Sequence, residues 1–196
     1  MLIDFKDQTL MQRYRLMAQT VIPRPIAWIV TEDEVVNIAP FSYFMALSSQ
    51  PPTLIVSIGQ RDDGTPKDTL RNLRNTGKCV ICMVGEKHFE AMHLSSKELE
   101  SHRSEAEVFG IRTKKILEGY PPMAEGVQAA FFCDYLQEVD LEGSETIPVI
   151  VEIKQLYIDD HIINDPKKLS LKLDAIARIG KSYAKIGEEI TPPPIP

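Results

Sequence analysis

None of the 10 glycines in the 196-residue sequence forms a Gly-x-Gly pair. The dinucleotide fingerprint, which needs that spacing for close approach of backbone to pyrophosphate, is therefore missing, and with it the case for a Rossmann fold. A Gly-x-Ser-x-Gly nucleophile elbow is missing too. Cysteine is scarce: only Cys79, Cys82 and Cys133 occur. Met1-Leu2-Ile3 runs at once into Asp4, Lys6 and Asp7, with no apolar signal segment. An odd handful of cysteines without a leader points to reduced thiols in a cytoplasm. Cys79 and Cys82 have CxxC spacing, but they lie in the β-type run Lys78-Cys-Val-Ile-Cys-Met-Val84, where residues three apart face opposite sides. No second CxxC or neighbouring histidine completes a zinc site. His88, His93, His102 and His161 include no pair at helical ligand spacing and are expected in loops or on the surface.

Positive charge is also limited. The 22 Lys and Arg against 28 Asp and Glu give a net charge of −6, which argues against a broad nucleic-acid surface. Charge of either sign vanishes between Val35 and Gln60. That stretch is long enough to span a bilayer, but Pro40, Pro51 and Pro52 would leave backbone groups that lipid cannot satisfy. It is expected to lie buried in protein, which requires something to cover it. A near-P-loop at Ala175-Ile-Ala-Arg-Ile-Gly-Lys-Ser182 has Ala175 where the first glycine is needed, and no apolar strand precedes it.

What is present fits one globular domain over residues 1–190, with a Pro-rich tail at 191–196 expected to be extended. Hydrophobic residues make up 43% and charged residues 26% of the chain. Leu10, Tyr14 and Met17 mark one face of an amphipathic helix over 9–20, ended by Pro23-Arg24-Pro25. Strands are predicted at 26–31, 35–39, 53–58, 79–84, 127–136 and 147–158. A helix is predicted at 66–76, with Thr65 as N-cap, Pro66 in its first turn, Asp68 completing a capping box, Leu70 and Leu73 inward and Gly77 as the stop. Within the polar stretch 86–119 the best helical piece is 95–100. No repeat and no regular βαβ alternation occur, so the fold class is mainly β with helical additions, a β-barrel instead of a doubly wound sheet.

Two segments carry a chemical signal. The start of the 66–76 helix offers free N–H groups and a dipole end to an anion, with Lys67 adding charge and Thr69 a hydroxyl. Asn37-Ile-Ala-Pro-Phe-Ser-Tyr-Phe44 sets an amide, a stiff bend, a hydroxyl and three aromatics within eight residues, which suits a flat heteroaromatic ring with a polar edge.

Together with Val21-Ile-Pro-Arg-Pro-Ile-Ala-Trp28, Ser48-Ser-Gln-Pro-Pro52, Ser57-Ile-Gly59, Pro66-Lys-Asp-Thr-Leu-Arg-Asn72 and Thr76-Gly77, these segments resemble the flavin reductase-like FMN-binding split-barrel family. Strong matches cover about the first 85 residues. Ile158-Asp-Asp-His-Ile-Ile163 and Ala177-Arg-Ile-Gly-Lys-Ser-Tyr183 look like degraded late motifs. The turn at 32–36 is short and lacks the usual glycine, and 86–125 does not align; that stretch is expected to set the substrate or close the site.

The resemblance implies a Greek-key split β-barrel that dimerises, with FMN near the subunit interface and the uncharged 35–60 stretch covered. Asn37, Ala39, Pro40, Phe41, Ser42 and Tyr43 would lie along the flavin. Ser57 would sit near the ribityl chain or phosphate, and Lys67, Asp68 and Thr69 would hold the phosphate end. Arg24 and Thr31 are weaker candidates. It further implies a hydride passed from NADH or NADPH to FMN, then to an oxygenase or another acceptor. A flavoredoxin-like electron carrier and a non-catalytic flavin-binding module are the alternatives.

Overall fold

The computed structural model describes residues 1–193. Helix α1 (Leu10–Thr20) opens on a capping box: Thr9 Oγ1 accepts from Gln12 N–H, and Gln12 returns to the Thr9 backbone. Strands β1 (Arg24–Pro25), β2 (Ala27–Glu32), β3 (Val36–Phe41), β4 (Phe44–Ser49) and β5 (Pro52–Gly59) follow. Helix α2 (Asp68–Thr76) leads into β6 (Lys78–Met83). After α3 (Phe89–Leu94), α4 (Glu105–Val108) and the short pair β7 (Thr113–Lys114) and β8 (Met123–Ala124) come β9 (Ala129–Glu138) and β10 (Thr146–Ile158). The chain continues with β11 (Ile163–Asp165), β12 (Ser170–Leu171), β13 (Ile176–Ile179) and β14 (Ser182–Lys185).

Seven strands form one antiparallel sheet in the order β3-β2-β6-β9-β10-β5-β4. Three local hairpins, β2–β3, β4–β5 and β9–β10, supply most of its pairing. The step from β5 to β6 crosses the sheet and carries α2 with it. The sheet curls into a split barrel with two cores. One face packs Ala27, Ile29, Val56, Ile81, Cys79 and Cys133 against Leu70 and Leu73 of α2. The other face packs Trp28, Val30, Ile38, Cys82 and Phe132 against Met92 of α3 and Ala106 of α4. The period of two along β2 thus serves two cores at once, which is why Ala27 to Thr31 are all buried. Cys79 and Cys82 occupy opposite faces, and burial pushes the Cys82 thiol up to about 12.

Four local expectations give way. First, α2 begins at Asp68, with Lys67 as N-cap and no side-chain cap. Thr65 lies two residues before the N-cap, held in the preceding turn by its N–H and hydroxyl, which donate to Asp63 at 2.9 and 2.6 Å, so the predicted capping box is absent. Second, 95–100 is not helical but a turn at 95–96 followed by irregular chain; the helices flank it, and the Ser95 hydroxyl accepts the Trp28 indole N–H at 2.9 Å. Third, the apolar face of α1 is left open: Leu10, Tyr14 and Met17 are exposed, and only Ala18 is buried. Fourth, the uncharged stretch contains the additional strand β4, where Met45 is 60% and Leu47 48% exposed. Residues 191–193 have no regular structure, while 194–196 of the predicted extended tail lie outside the described residues. The P-loop-like segment is the β13–β14 hairpin, which turns at Gly180 (φ 52°) and pairs back onto β1. No helix among the described residues is long and apolar enough to cross a membrane.

Candidate functional site

The start of α2 and the strand β3 meet through buried side chains. Asn37 Nδ2 donates to Thr69 Oγ1 at 2.9 Å and to Thr31 Oγ1 at 3.2 Å. Asn72 Nδ2 also donates to Thr31 Oγ1, at 3.2 Å. The period of two along β3 then sets Asn37, Ala39 and Phe41 on one wall of a depression, with Lys67, Asp68 and Thr69 on the next. Thr31 is fully buried and acts through Asn37 and Asn72.

Asp68 is held by two guanidiniums. Arg61 Nη2 donates to its Oδ2 at 2.5 Å, and Arg71 pairs with Oδ1. Arg61 also reaches Glu98 at 3.2 Å and the Leu99 carbonyl at 3.3 Å. It thereby ties the helix start to the segment Ser95–Leu99, which forms the remaining wall. Lys67 has no ion pair among the described residues. At the back of the depression Glu105 Oε2 accepts the Ile38 N–H at 3.1 Å, and burial raises this carboxyl above its ordinary value.

Phe41 and Ser96 also line a second cleft of about 240 Å³, with Pro40, Ser42, His93, Arg178 and Tyr183 around it. His93 Nδ1 lies 3.0 Å from the Tyr183 hydroxyl. Six of the predicted residues (Asn37, Ala39, Phe41, Lys67, Asp68 and Thr69) thus line the first depression, and Pro40 and Ser42 line its neighbour. Tyr43, Ser57 and Arg24 stand apart. The Tyr43 ring stacks on Tyr14 at 6.2 Å and its carbonyl accepts the Ser57 N–H at 2.8 Å. Burial, then Tyr14, raises the Tyr43 phenol. Arg24 lies in β1 with its guanidinium 5.7 Å from the Tyr43 ring centroid.

Sequence reasoning passed over Arg61, and it pointed to 86–125 only as a stretch expected to set the substrate or close the site, without singling out Ser95–Leu99, Glu105 or His93. Arg61 sits in a polar loop that reads as solvated, and the others fall in the stretch without a motif; no local signal marks them. Arg178 and Tyr183 lie in the degraded late motif, so a signal was there.

This arrangement is that of a flavin-type split barrel. The family model for the flavin reductase like domain matches residues 17–171, and the chain belongs to that family. An uncharacterized protein of Halalkalibacterium halodurans, BH2278, is 32% identical over 185 residues, covering 90% of this chain and 88% of that one. Among solved structures, nitrilotriacetate monooxygenase component B from Bacillus cereus superposes with a TM-score of 0.90 at 25% identity, covering 97% of this chain and 98% of its own. The 2-nitrobenzoate 2-nitroreductase NbaA of Pseudomonas fluorescens gives 0.87 at 26%, covering 100% and 96%. A split-barrel flavin reductase structure from Shewanella frigidimarina shares the fold, with a TM-score of 0.82 at 20% identity over 100% of both chains.

Proposed function

We propose that this protein binds FMN non-covalently and is an NAD(P)H-dependent flavin reductase, working as a cytoplasmic homodimer that passes electrons to an oxygenase or another acceptor. The observation that carries the reading is the Asn37–Thr69 hydrogen bond. It fixes the ring-side strand β3, from Asn37 to Phe41, beside the helix start, Lys67 to Thr69, so one elongated ligand can touch both.

The residues fit a flavin phosphate. The N-cap Lys67 offers no side-chain acceptor to α2, so the N–H groups of Asp68 and Thr69 stay available to an anion. The Lys67 ammonium has no ion pair among the described residues and is the free cation here, because the Asp68 and Glu98 carboxylates match the Arg61 and Arg71 charges. Asp68 orients Arg61 and Arg71. Phe41, with the stiff Ala39-Pro40 backbone, suits the apolar face of the ring. Ser42 is the hydroxyl donor at its edge. Thr31 and Arg24 are assigned to positioning. Ser57 acts through the backbone of Tyr43.

Bound FMN would supply the redox chemistry, taking up a hydride from the nicotinamide and releasing the electrons to an acceptor. The chain's own part is to orient the ring along β3, neutralise the phosphate and restrict water with the Ser95–Leu99 wall. The Bacillus cereus relative by structure is named as a monooxygenase component, which supports an oxygenase as the consumer. The partner subunit is assigned to cover β4, where Met45 and Leu47 stand exposed in a strand without charge.

The test is an absorbance spectrum of the purified protein followed by anaerobic mixing with NADH and with NADPH. Flavin bands that bleach quickly support the reductase. Bound flavin that neither donor reduces refutes it in favour of an electron carrier or binding module, and a protein that takes up no flavin refutes the cofactor assignment.

A further inference from the structure

A cleft of about 1080 Å³ lies outside the depression described above. One wall is α1, with Met11, Arg15 and Ala18; the other is the β13–β14 hairpin, with Arg178, Ile179 and Lys181. Three cations line it and no carboxylate does, in a chain whose net charge is −6. None of Arg15, Arg178 and Lys181 forms an ion pair among the described residues.

A fourth cation stands behind the wall. Arg24 is 94% buried, with 6% of its surface exposed, and its Nη1 donates to the carbonyls of Ala18 at 2.5 Å and Val21 at 3.0 Å. Its Nε and Nη2 are buried with no partner. Arg24 is also the direct cross-strand partner of Arg178 in the β1–β13 ladder. Like charges directly opposite on neighbouring strands repel, and a buried cation without a counter-charge is costly. Both arginines lean on rings: Arg24 sits 5.7 Å from Tyr43 and Arg178 4.4 Å from Tyr183. Those contacts supply part of the compensation, and no acidic group among the described residues supplies the rest.

Tyr14 and Arg178 line this cleft and also the cleft of Pro40, Phe41 and Ser42. The two are neighbours. A ligand held here can therefore reach the ring-side strand.

We propose that the cleft between α1 and the β13–β14 hairpin binds the diphosphate-bearing part of the nicotinamide dinucleotide, with Arg15, Arg178 and Lys181 as its phosphate contacts. This rests on the reductase reading above and names its donor site. Cations on two facing walls call for a ligand with several negative charges, which a diphosphate supplies. Met11, Ile22 and Ile179 provide apolar surface for an attached ring. The cleft is of the size ligand sites of a few hundred to about 1,000 Å³ reach. Arg24 acts from behind Ala18 as a fixed positive charge.

The experiment is equilibrium binding of NADP⁺ and of NAD⁺ to the flavin-loaded protein, comparing wild type with Arg15→Glu/Lys181→Glu. Both positions are exposed and unpaired, so folding is retained, and FMN affinity is measured alongside. The expected result is a rise in the dinucleotide dissociation constant of roughly tenfold or more, since two charge-assisted contacts are lost and reversed in sign, with unchanged FMN affinity. Inorganic pyrophosphate should compete with dinucleotide on the wild type and not on the variant. Unchanged dinucleotide binding in the variant overturns the proposal, as does a wild type that binds neither dinucleotide. Loss of FMN affinity in place of dinucleotide affinity also overturns it, because the cleft would then hold the flavin phosphate. Tight dinucleotide binding without flavin bleaching leaves the cleft assigned and refutes only the reductase reading.

Discussion

Asn37 and Thr69, 32 residues apart in the chain, are joined by a 2.9 Å hydrogen bond from Nδ2 to Oγ1. Through it the edge strand β3 fixes the position of the first turn of α2. Asn37→Ala removes a donor to two buried hydroxyls at once, those of Thr69 and Thr31, and leaves Thr31 with Asn72 alone. The expected loss is about 1–3 kcal/mol of stability, with FMN bound more weakly. A double-mutant cycle with Thr69→Val, read by denaturant unfolding and flavin titration, checks it. Fully additive losses would show that the bond does not couple the two elements.

Lys67→Ala should weaken FMN binding by about 1–3 kcal/mol, the scale of a lost charge-assisted hydrogen bond. Fluorescence quenching of the flavin is the readout. Unchanged affinity would remove Lys67 from the phosphate site.

Glu105 sets a pH dependence. Burial raises its carboxyl in the folded state, so in the window between its unfolded and folded values the native protein holds the proton more firmly. Stability from this group is therefore greatest below the unfolded value and falls as pH rises through the window. Glu105→Gln keeps an acceptor for the Ile38 N–H and removes the buried charge. The variant should gain on wild type at neutral pH and lose that advantage on acidification below the ordinary glutamate range. Unfolding midpoints across pH measure it; a difference constant with pH would contradict it.

Trp28 is the sole tryptophan and is fully buried, with its indole N–H bonded to Ser95 Oγ at 2.9 Å. Ser95→Ala leaves that N–H unpaired, at a cost of about 1–3 kcal/mol, and should shift the Trp28 emission. Because Ser95 opens the wall over the depression, the same emission should respond to FMN in the wild type. An emission indifferent to both would detach the segment from the site.

Met45→Glu tests the role assigned to β4. Placing a charge in a 60% exposed position should leave the fold intact and convert a dimer into monomers with weakened FMN binding, as read by sedimentation. A variant that remains dimeric would put the interface elsewhere.

Much of this architecture could be read from the chain. The β-branched and apolar runs of β2, β5 and β9, Gly77 in a left-handed conformation (φ 70°) at the end of α2, and the run from Asn37 to Ser42 each act through neighbours in sequence. Strand period and turn chemistry are local, so the sequence alone determined that the protein is mainly β and marked α2 and β3 as the walls of the candidate site. Tertiary structure decided what depends on long-range partners. The start of α2 lies at Asp68 because Asp63 holds Thr65 in the preceding turn and two arginines engage the Asp68 carboxylate. Arg61 became part of the site only because folding brings Asp68, Glu98 and Leu99 around it. Likewise the cation-lined cleft exists only because β13 returns across about 150 residues to pair with β1, setting Arg178 against Arg24, a juxtaposition no local pattern encodes.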